Sequence, residues 1–374
     1  MANTVRYENI NRIPALTWNW LRLNRATLEA EIIENKGTAI MGGLPKDVNG
    51  ADSPLTCRMV PSFGALLPER VRAMQGGAGK DADALLDALG VQPTAIVAKK
   101  GAAIAEPITV RTYLADGKSH ADRTLIVAEP SASLTVIMVY ALPDGARADA
   151  GGFHAEQTKI WVQQGARVHL VKVNLLGARY THLDDTAAYC EDGARIDVTQ
   201  VELGAAQSYV GVAATLAGYQ SAFKSDTAYH CRAAQLLDMN YAVWHTGAKT
   251  DTQMRVKGVV ADDAVKVYRG TIDFKRGCAG ATGDEQDETL LLSPTAVNKS
   301  IPMILCDEED VSGTHGATIG RLSADELFYM QSRGISEDEA KRMMTRAKVA
   351  SVAHLIPDDS VVAEIAAYLD ASAS

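Results

Sequence analysis

The sequence predicts a mainly β protein: a β-helix core over residues 96–318, a mainly helical region before it (1–95) and a helical domain after it (319–374). Three observations carry this expectation. Short strand-like runs with small residues at their turns dominate the middle of the chain. No securely capped helix of normal length interrupts them. From residue 319 the apolar period switches from 2 to 3.6, behind two capping boxes in quick succession.

The bulk numbers set the frame. At 374 residues the chain exceeds a usual single core, so two or three units are expected unless one is a repeat array. A hydrophobic share of 47% and a charged share of 22% are ordinary for a soluble protein. No stretch approaches the ~20 apolar residues of a membrane span, and Met1–Pro14 lacks the apolar core of a signal peptide. A cytoplasmic location is the resulting expectation. The net charge of −9 and the scattered Lys and Arg argue against nucleic acid, which demands a clustered basic face. Five dispersed cysteines (Cys57, Cys190, Cys231, Cys278, Cys306) fit neither a disulfide framework nor a structural zinc site. Most read as buried small hydrophobes.

In the first zone Leu16, Trp18, Trp20, Leu21 and Leu23 form an apolar knot. A helix opens near Pro68, the run Gly76-Gly77-Ala78-Gly79 breaks it, and Asp81–Leu89 gives further helical turns. The Gly run beside Lys80 lacks G-K-[ST] and follows no strand, so it is not read as a phosphate loop.

The middle zone offers strands at Ile108–Tyr113, Arg123–Ala128, Leu134–Ala141, Ile160–Val162, Val168–Asn174, Ile196–Val201, Val265–Val267, Thr271–Phe274 and Ile301–Leu305. Gly165-Ala166-Arg167-Val168 and Gly193-Ala194-Arg195-Ile196 repeat one turn pattern, each launching a strand, with Gly177-Ala178-Arg179-Tyr180 between them. A sandwich of this size should show hairpin dipeptides, and the only Asn-Gly, Asn49-Gly50, lies outside the zone. Stacked coils that bury a continuous column account better for many short strands and small turn residues.

In the last zone Ser323-Ala324-Asp325-Glu326 is a capping box that opens a helix over Ala324–Arg333, with Gly334 placed as its left-handed stop. Ser336-Glu337-Asp338-Glu339 is a second capping box and opens a helix with Ala340, Met343, Met344, Ala347 and Ala350 on one face. A third follows Pro357 with the stripe Val361, Val362, Ile365, Ala366 and Leu369. Met343 and Met344 read equally as core packing or as an adaptable contact surface.

Few constellations suggest chemistry. His315 sits among small residues in Ser312–Thr318, either as a solvated side chain or as a metal or cluster ligand at an interface. Cys306 precedes Asp307-Glu308-Glu309-Asp310, which disfavours its thiolate. His230 and Cys231, adjacent on a strand, point to opposite faces and cannot share an ion. His182, Asp184 and Asp185 could bind a metal but lack a third ligand at diagnostic spacing. No hydrolase elbow, zincin or dinucleotide motif is present. The chain reads as non-catalytic on its own.

The stretch from Ser312 to Arg321, then Asp325–Ile335 and Glu339-Ala340, closely resembles the C-terminal signature of the SufB/SufD family of iron–sulfur cluster assembly proteins. Tyr268-Arg269-Gly270-Thr271-Ile272, Leu290-Leu291-Leu292-Ser293 and Ile301-Pro302 fit the same pattern, so the resemblance covers about residues 265–350. It implies a right-handed parallel β-helix core, a helical N-terminal region and a C-terminal helical domain. It also implies a cytoplasmic complex with SufC, an ABC-type ATPase docked on the C-terminal helices. The residues to expect in that docking are Leu327, Phe328, Tyr329, Arg333, Gly334, Met343 and Met344. A transient iron–sulfur cluster would form at the interface of two β-helical subunits, with no tightly bound cofactor on this chain alone. Whether a reduced flavin takes part in the complex is not legible in the sequence.

The SufB type carries a Glu on each side of the motif histidine. Here those places hold Thr314 and Gly316, which looks like the SufD type. The SufB-type cysteines, aligned without gaps, fall on Asp287 and Ala296, and a cysteine seen in some SufD proteins is Gly313. His315 is therefore the motif residue carried over as a cluster ligand, and the chain reads as a SufD-type subunit paired with a SufB-type paralogue. Two alternatives stay open. One is a SufB-like scaffold holding the nascent cluster in a self-paired homodimer, where Cys278 and Cys306 would be the thiols. The other is a β-helical carbohydrate-active enzyme.

Overall fold

The structure, a computed structural model, describes residues 3–17, 19–32, 37–44, 46–114, 116–143, 145–147 and 150–371. Its body is a parallel β-helix built from two facing sheets, each of nine strands among the described residues. One sheet runs through β3 (Gly37–Gly42), β6 (Ile108–Leu114), β8 (Ser133–Ala141), β10 (Arg167–Leu175), β12 (Arg195–Glu202), β14 (Ala222–Cys231), β16 (Asp251–Val260), β18 (Ala281–Leu291) and β20 (Val311–Arg321). The other runs through β4 (Leu55–Met59), β5 (Thr94–Ala98), β7 (Lys118–Ala128), β9 (Gly151–Val162), β11 (Arg179–Cys190), β13 (Gln207–Leu216), β15 (Leu236–His245), β17 (Val265–Phe274) and β19 (Val297–Cys306). Each coil gives one strand to each sheet.

The repeated turn noticed in the sequence is a structural column. Gly165 and Gly193 both sit in the left-handed region, at φ 65° and 62°, and Arg167 pairs with Arg195 in register. Gly101, Ser131, Gln220, Lys249 and Gly280 take the same conformation in the other coils. Each donates its N–H to a carbonyl of the next coil, as in Gly165 N to Asp192 O (2.8 Å) and Gln220 N to Ala248 O (3.0 Å). The pattern was incomplete in the sequence because three of these positions are not glycine. Gly177-Ala178-Arg179 launches β11 but is not part of the column.

Inward-facing residues split each coil in two. One half is apolar, with Ile126, Ile160, Ala188, Leu170, Val198 and Phe223 among its members. Each fully buried Val, Leu or Ile contributes roughly 2 kcal/mol. The other half is polar and is taken up below. Of the strands β13 to β16, which the sequence left unassigned, β13 and β15 are buried on both faces, which erases the period-2 signal, whereas β14 and β16 alternate buried with half-buried positions.

Residues 1–95 are not mainly helical. β1 (Asn3–Ile10) and β2 (Ala26–Ile32) form an antiparallel hairpin, and β3 and β4 cap the first coil antiparallel to β6 and β5. Among the described residues of this segment, helix is confined to α1 (Glu69–Arg72), α2 (Lys80–Ala88) and two single turns. The helical reading failed because these strands are short, and their character comes from pairing with the body. Trp18 lies outside the described residues, and Leu16, Trp20 and Leu21 are exposed, so the expected knot is not a core. The Gly run before α2 lies on the backbone of β13. A Cβ at Gly77 would collide with Val212 N, and one at Gly211 with Ala78 N. Buried Arg269 ties the hairpin region to β17, donating to Leu23 O (2.6 Å) and to Asp238 (2.5 Å), which also accepts from Asn11.

α3 (Ala324–Ser332), α4 (Glu337–Ala353) and α5 (Asp359–Ala371) follow β20. The Ser323 box closes reciprocally with Glu326, whereas Ser336 accepts from Glu339 N on one side. Gly334 is left-handed at φ 83°. The buried stripe of α4 is Ala340, Thr345, Val349, Val352 and Ala353; of the face read from the sequence, Ala340 is buried, Met344 half-buried, and Met343, Ala347 and Ala350 exposed. α5 buries Val361, Ile365 and Leu369, with Val362 half-buried and Ala366 exposed. Both helices pack on Ile137, Val139, Val171, Val173 and Val201, the outer face of the first sheet. No described helix is long and apolar enough to cross a membrane.

A non-glycine residue in the left-handed region costs about 1–2 kcal/mol, partly offset by its smaller unfolded-state entropy. Exposed Gln220 should therefore tolerate Gln220→Gly with a gain of about 0.5–1 kcal/mol, read as a higher denaturation midpoint. A lower midpoint would contradict the column as described.

Candidate functional site

The coil that begins under an antiparallel cap ends without one among the described residues. Strands β19 and β20 are the last in their sheets, each paired on one side only among the described residues. β20 is exposed along almost its whole length, Ile319 included, and Val297 at the start of β19 is exposed as well. A Cβ at Gly313 would lie 3.0 Å from Phe274 and 3.1 Å from Ile304, so the odd positions of β20 face the coil interior. His315 is one of them. It is exposed because no further coil covers it.

Directly beneath, in register, lies Glu285 of β18. Its carboxylate is buried beside the Tyr268 hydroxyl. Burial first, and then the charge of Asp287, push it up to about 8. Asp287 is paired with buried Lys266 at 2.5 Å, and burial holds that lysine below its ordinary value. The resemblance implies SufB-type thiols at the places held by Asp287 and Ala296. The first presents a paired carboxylate and the second is buried. On the other face of β20, Thr314 donates to Asp284 (2.6 Å).

The two weaker thiol candidates differ. Cys306, at the end of β19, is exposed, and its thiol contacts the Glu308 carbonyl at 3.0 Å. Cys278 is buried in the core column, and burial, followed by Glu308, pushes its thiol up. Neither joins His315 in a three-ligand group among the described residues. Cys190 and Cys231 are inward-facing core residues pushed up to about 12 by burial.

On the helical side, Phe328 and Tyr329 are exposed by 73% and 60%, Met343 by 48%, and α3 buries nothing. Leu327 and Met344 are half-buried, and Arg333 and Gly334 are exposed. The Arg333 guanidinium lies 5.0 Å over the Tyr329 ring. This is an apolar, aromatic and cationic surface beside the open end.

Beyond His182 and Asp184, the sequence reading does not reach the polar half of the coil interior. His120, His154 and His182 stand in register on β7, β9 and β11, with stacked rings 6.1 and 5.0 Å apart. Two residues on, Asp122, Glu156 and Asp184 form a carboxylate ladder facing Lys172, which pairs with Asp184. Asp185 turns outward to accept from Ala78 N (2.9 Å), so it does not join His182 and Asp184; Glu202 of β12 does. The equal offset of 28 residues between His154 and His182 and between Asn174 and Glu202 was the available signal.

Comparison with known proteins places the chain. The family profile described as SUF system FeS cluster assembly, SufBD core domain, matches residues 112–348. The iron–sulfur cluster assembly protein SufD of Bacillus subtilis is 27% identical over 37% of this chain and 32% of its own length. A SufBD family protein of Mycobacterium leprae is 24% identical over 63% of this chain and 27% of its own. A chloroplastic SufBD family protein of Arabidopsis thaliana is 24% identical over 68% and 47%. The chain thus spans about a quarter to a half of the length of these relatives.

Buried glutamates set how stability varies with pH. Burial pushes Glu156 and Glu202 up to about 8 and about 7, from an ordinary 4.5. Each holds its proton more tightly folded than unfolded, so its contribution is complete below about 4.5 and is lost as pH rises through 7–8. The buried histidines, held below 6.5, act in the opposite sense but only under that pH. Stability should fall between pH 6.5 and 8, and Glu156→Gln should reduce that fall by on the order of 1 kcal/mol. Identical slopes in denaturation series of the two chains would contradict the buried ladder.

Proposed function

This chain belongs to the SufBD family of iron–sulfur cluster assembly proteins, and on that premise we propose that it serves as the SufD-type subunit of a cytoplasmic SUF assembly complex. In this reading it pairs with a SufB-type paralogue and docks the SufC-type ATPase through its C-terminal helices. It performs no reaction alone. The observation that carries the reading is His315 at the uncovered end of the coil, without the flanking glutamates or underlying thiols of a SufB-type scaffold.

The chemistry follows from the donors. An imidazole offers one nitrogen to iron, and the exposed edges of β19 and β20 offer backbone groups to a second β-helix. A cluster formed there is cargo, held between subunits until handed on. The exposed Phe328, Tyr329 and Met343 supply an aromatic and Met-rich contact of the kind that binds partner grooves. ATP-driven movement of the docked ATPase would act on α3, which follows β20 directly, and so on the strand that bears His315. The self-paired alternative needs Cys278 and Cys306 together, yet one is buried and the other exposed.

One reconstitution tests this. Co-expressed with SufB-type and SufC-type partners, the full chain should co-purify with the ATPase, and a chain lacking residues 319–374 should not. His315→Ala should keep both partners and lower cluster yield about tenfold. Retained ATPase in the truncation, or unchanged yield with His315→Ala, would overturn the corresponding half.

A further inference from the structure

Deep in the coil, away from His315, a group of metal-donor atoms has no assigned role. Potential ligand atoms of His182, Asp184 and Glu202 all lie within 4.8 Å of one another, and the three residues are at most 3% exposed. Gln200, wholly buried, places its amide between the two acids, with Nε2 2.6 Å from Glu202 Oε1 and 3.3 Å from Asp184 Oδ2. Its Oε1 has no partner, nor has His182 Nε2, among the described residues. Orphaned buried polar atoms are costly and call for an explanation.

An ion resolves all of these together. Turning the Gln200 amide over would present Oε1 instead of Nε2 to the space between the carboxylates. His182 Nδ1 is engaged with His154 Nδ1 at 2.9 Å, which leaves Nε2 to bind and makes His154 the outer partner that fixes the tautomer. Asn174 already orients Glu202 (2.9 Å), and Lys172 orients Asp184. Buried Asp184 and Glu202 share the nearby ammonium of Lys172, and buried charge is ordinarily paired or metal-bound.

We propose that the coil interior holds one divalent first-row transition-metal ion, bound by His182, Asp184, Glu202 and the Gln200 carbonyl oxygen. With one imidazole, two carboxylates and no thiolate, this donor set suits a single Zn2+, Fe2+ or Mn2+ ion and not an iron–sulfur cluster. The ion pins β11 to β12 across the interior, a structural role. Because the site is walled off from solvent, it fills as the coil closes during folding.

The test uses the full chain, unfolded in denaturant with chelator and refolded with Zn2+ or Co2+, then desalted. About one ion per chain should be retained, with a raised melting temperature. The Co2+ form should show ligand-field absorption without thiolate charge transfer. Glu202→Gln should lower retained metal at least about tenfold, while His315→Ala and Cys231→Ala leave it unchanged. If Glu202→Gln does not fold, the wild-type stoichiometry and Co2+ spectrum decide the matter. No ion above background in the refolded wild type, a thiolate charge-transfer band, or full retention in folded Glu202→Gln would overturn the proposal.

Discussion

Everything in this molecule depends on coil-on-coil pairing: each strand of the β-helix satisfies its backbone only on the strand above and the strand below. The column of left-handed turn residues, from Gly101 to Gly280, keeps that stacking in phase. The N-terminal segment closes one end with two antiparallel strands. At the other end no such closure is found among the described residues, where β19 and β20 present open edges and inward-facing positions with no further strand above them. His315 owes its exposure to this ending and to no special loop. A site at the end of a stack is accessible to a second body that continues the stack, which is why the open end and the proposed pairing of subunits belong to one account.

The polar half of the interior follows from the same constraint. A buried ion pair such as Lys172–Asp184 or Lys266–Asp287 gains little over an apolar pair, because desolvation offsets the attraction. Its consequence here is one of alignment. A slip of any strand by two residues would set a carboxylate or ammonium against the apolar half, leaving a buried charge unpaired at a cost of several kcal/mol. The apolar half supplies most of the stabilisation, and the polar half penalises every wrong register.

The sequence reading succeeded where a residue acts through its own neighbourhood. Ser323 and Glu326 cap α3 as their spacing requires, and the paired turns at Gly165 and Gly193 reported stacked coils. It failed where the environment is supplied from far along the chain. The hairpin of residues 3–32 is strand only by virtue of partners and packing that local propensity does not encode. Glu202 reaches His182 across the coil, and Met343 faces solvent because Val349 and Val352 claim the sheet. His315 was legible as a residue from its resemblance to a family signature. Its exposure at an uncovered end, above a buried Glu285, required the register of β18 with β20.

The central claim is that the open end of the coil is the surface where the paralogue joins. Hydrogen–deuterium exchange of the chain, alone and in complex with a SufB-type partner, tests it most directly. The account predicts that amides within Val297–Cys306 and Val311–Arg321 become strongly protected on complex formation, with little change in β8 to β12. A stable complex in which those two strands exchange as fast as in the free chain would contradict it.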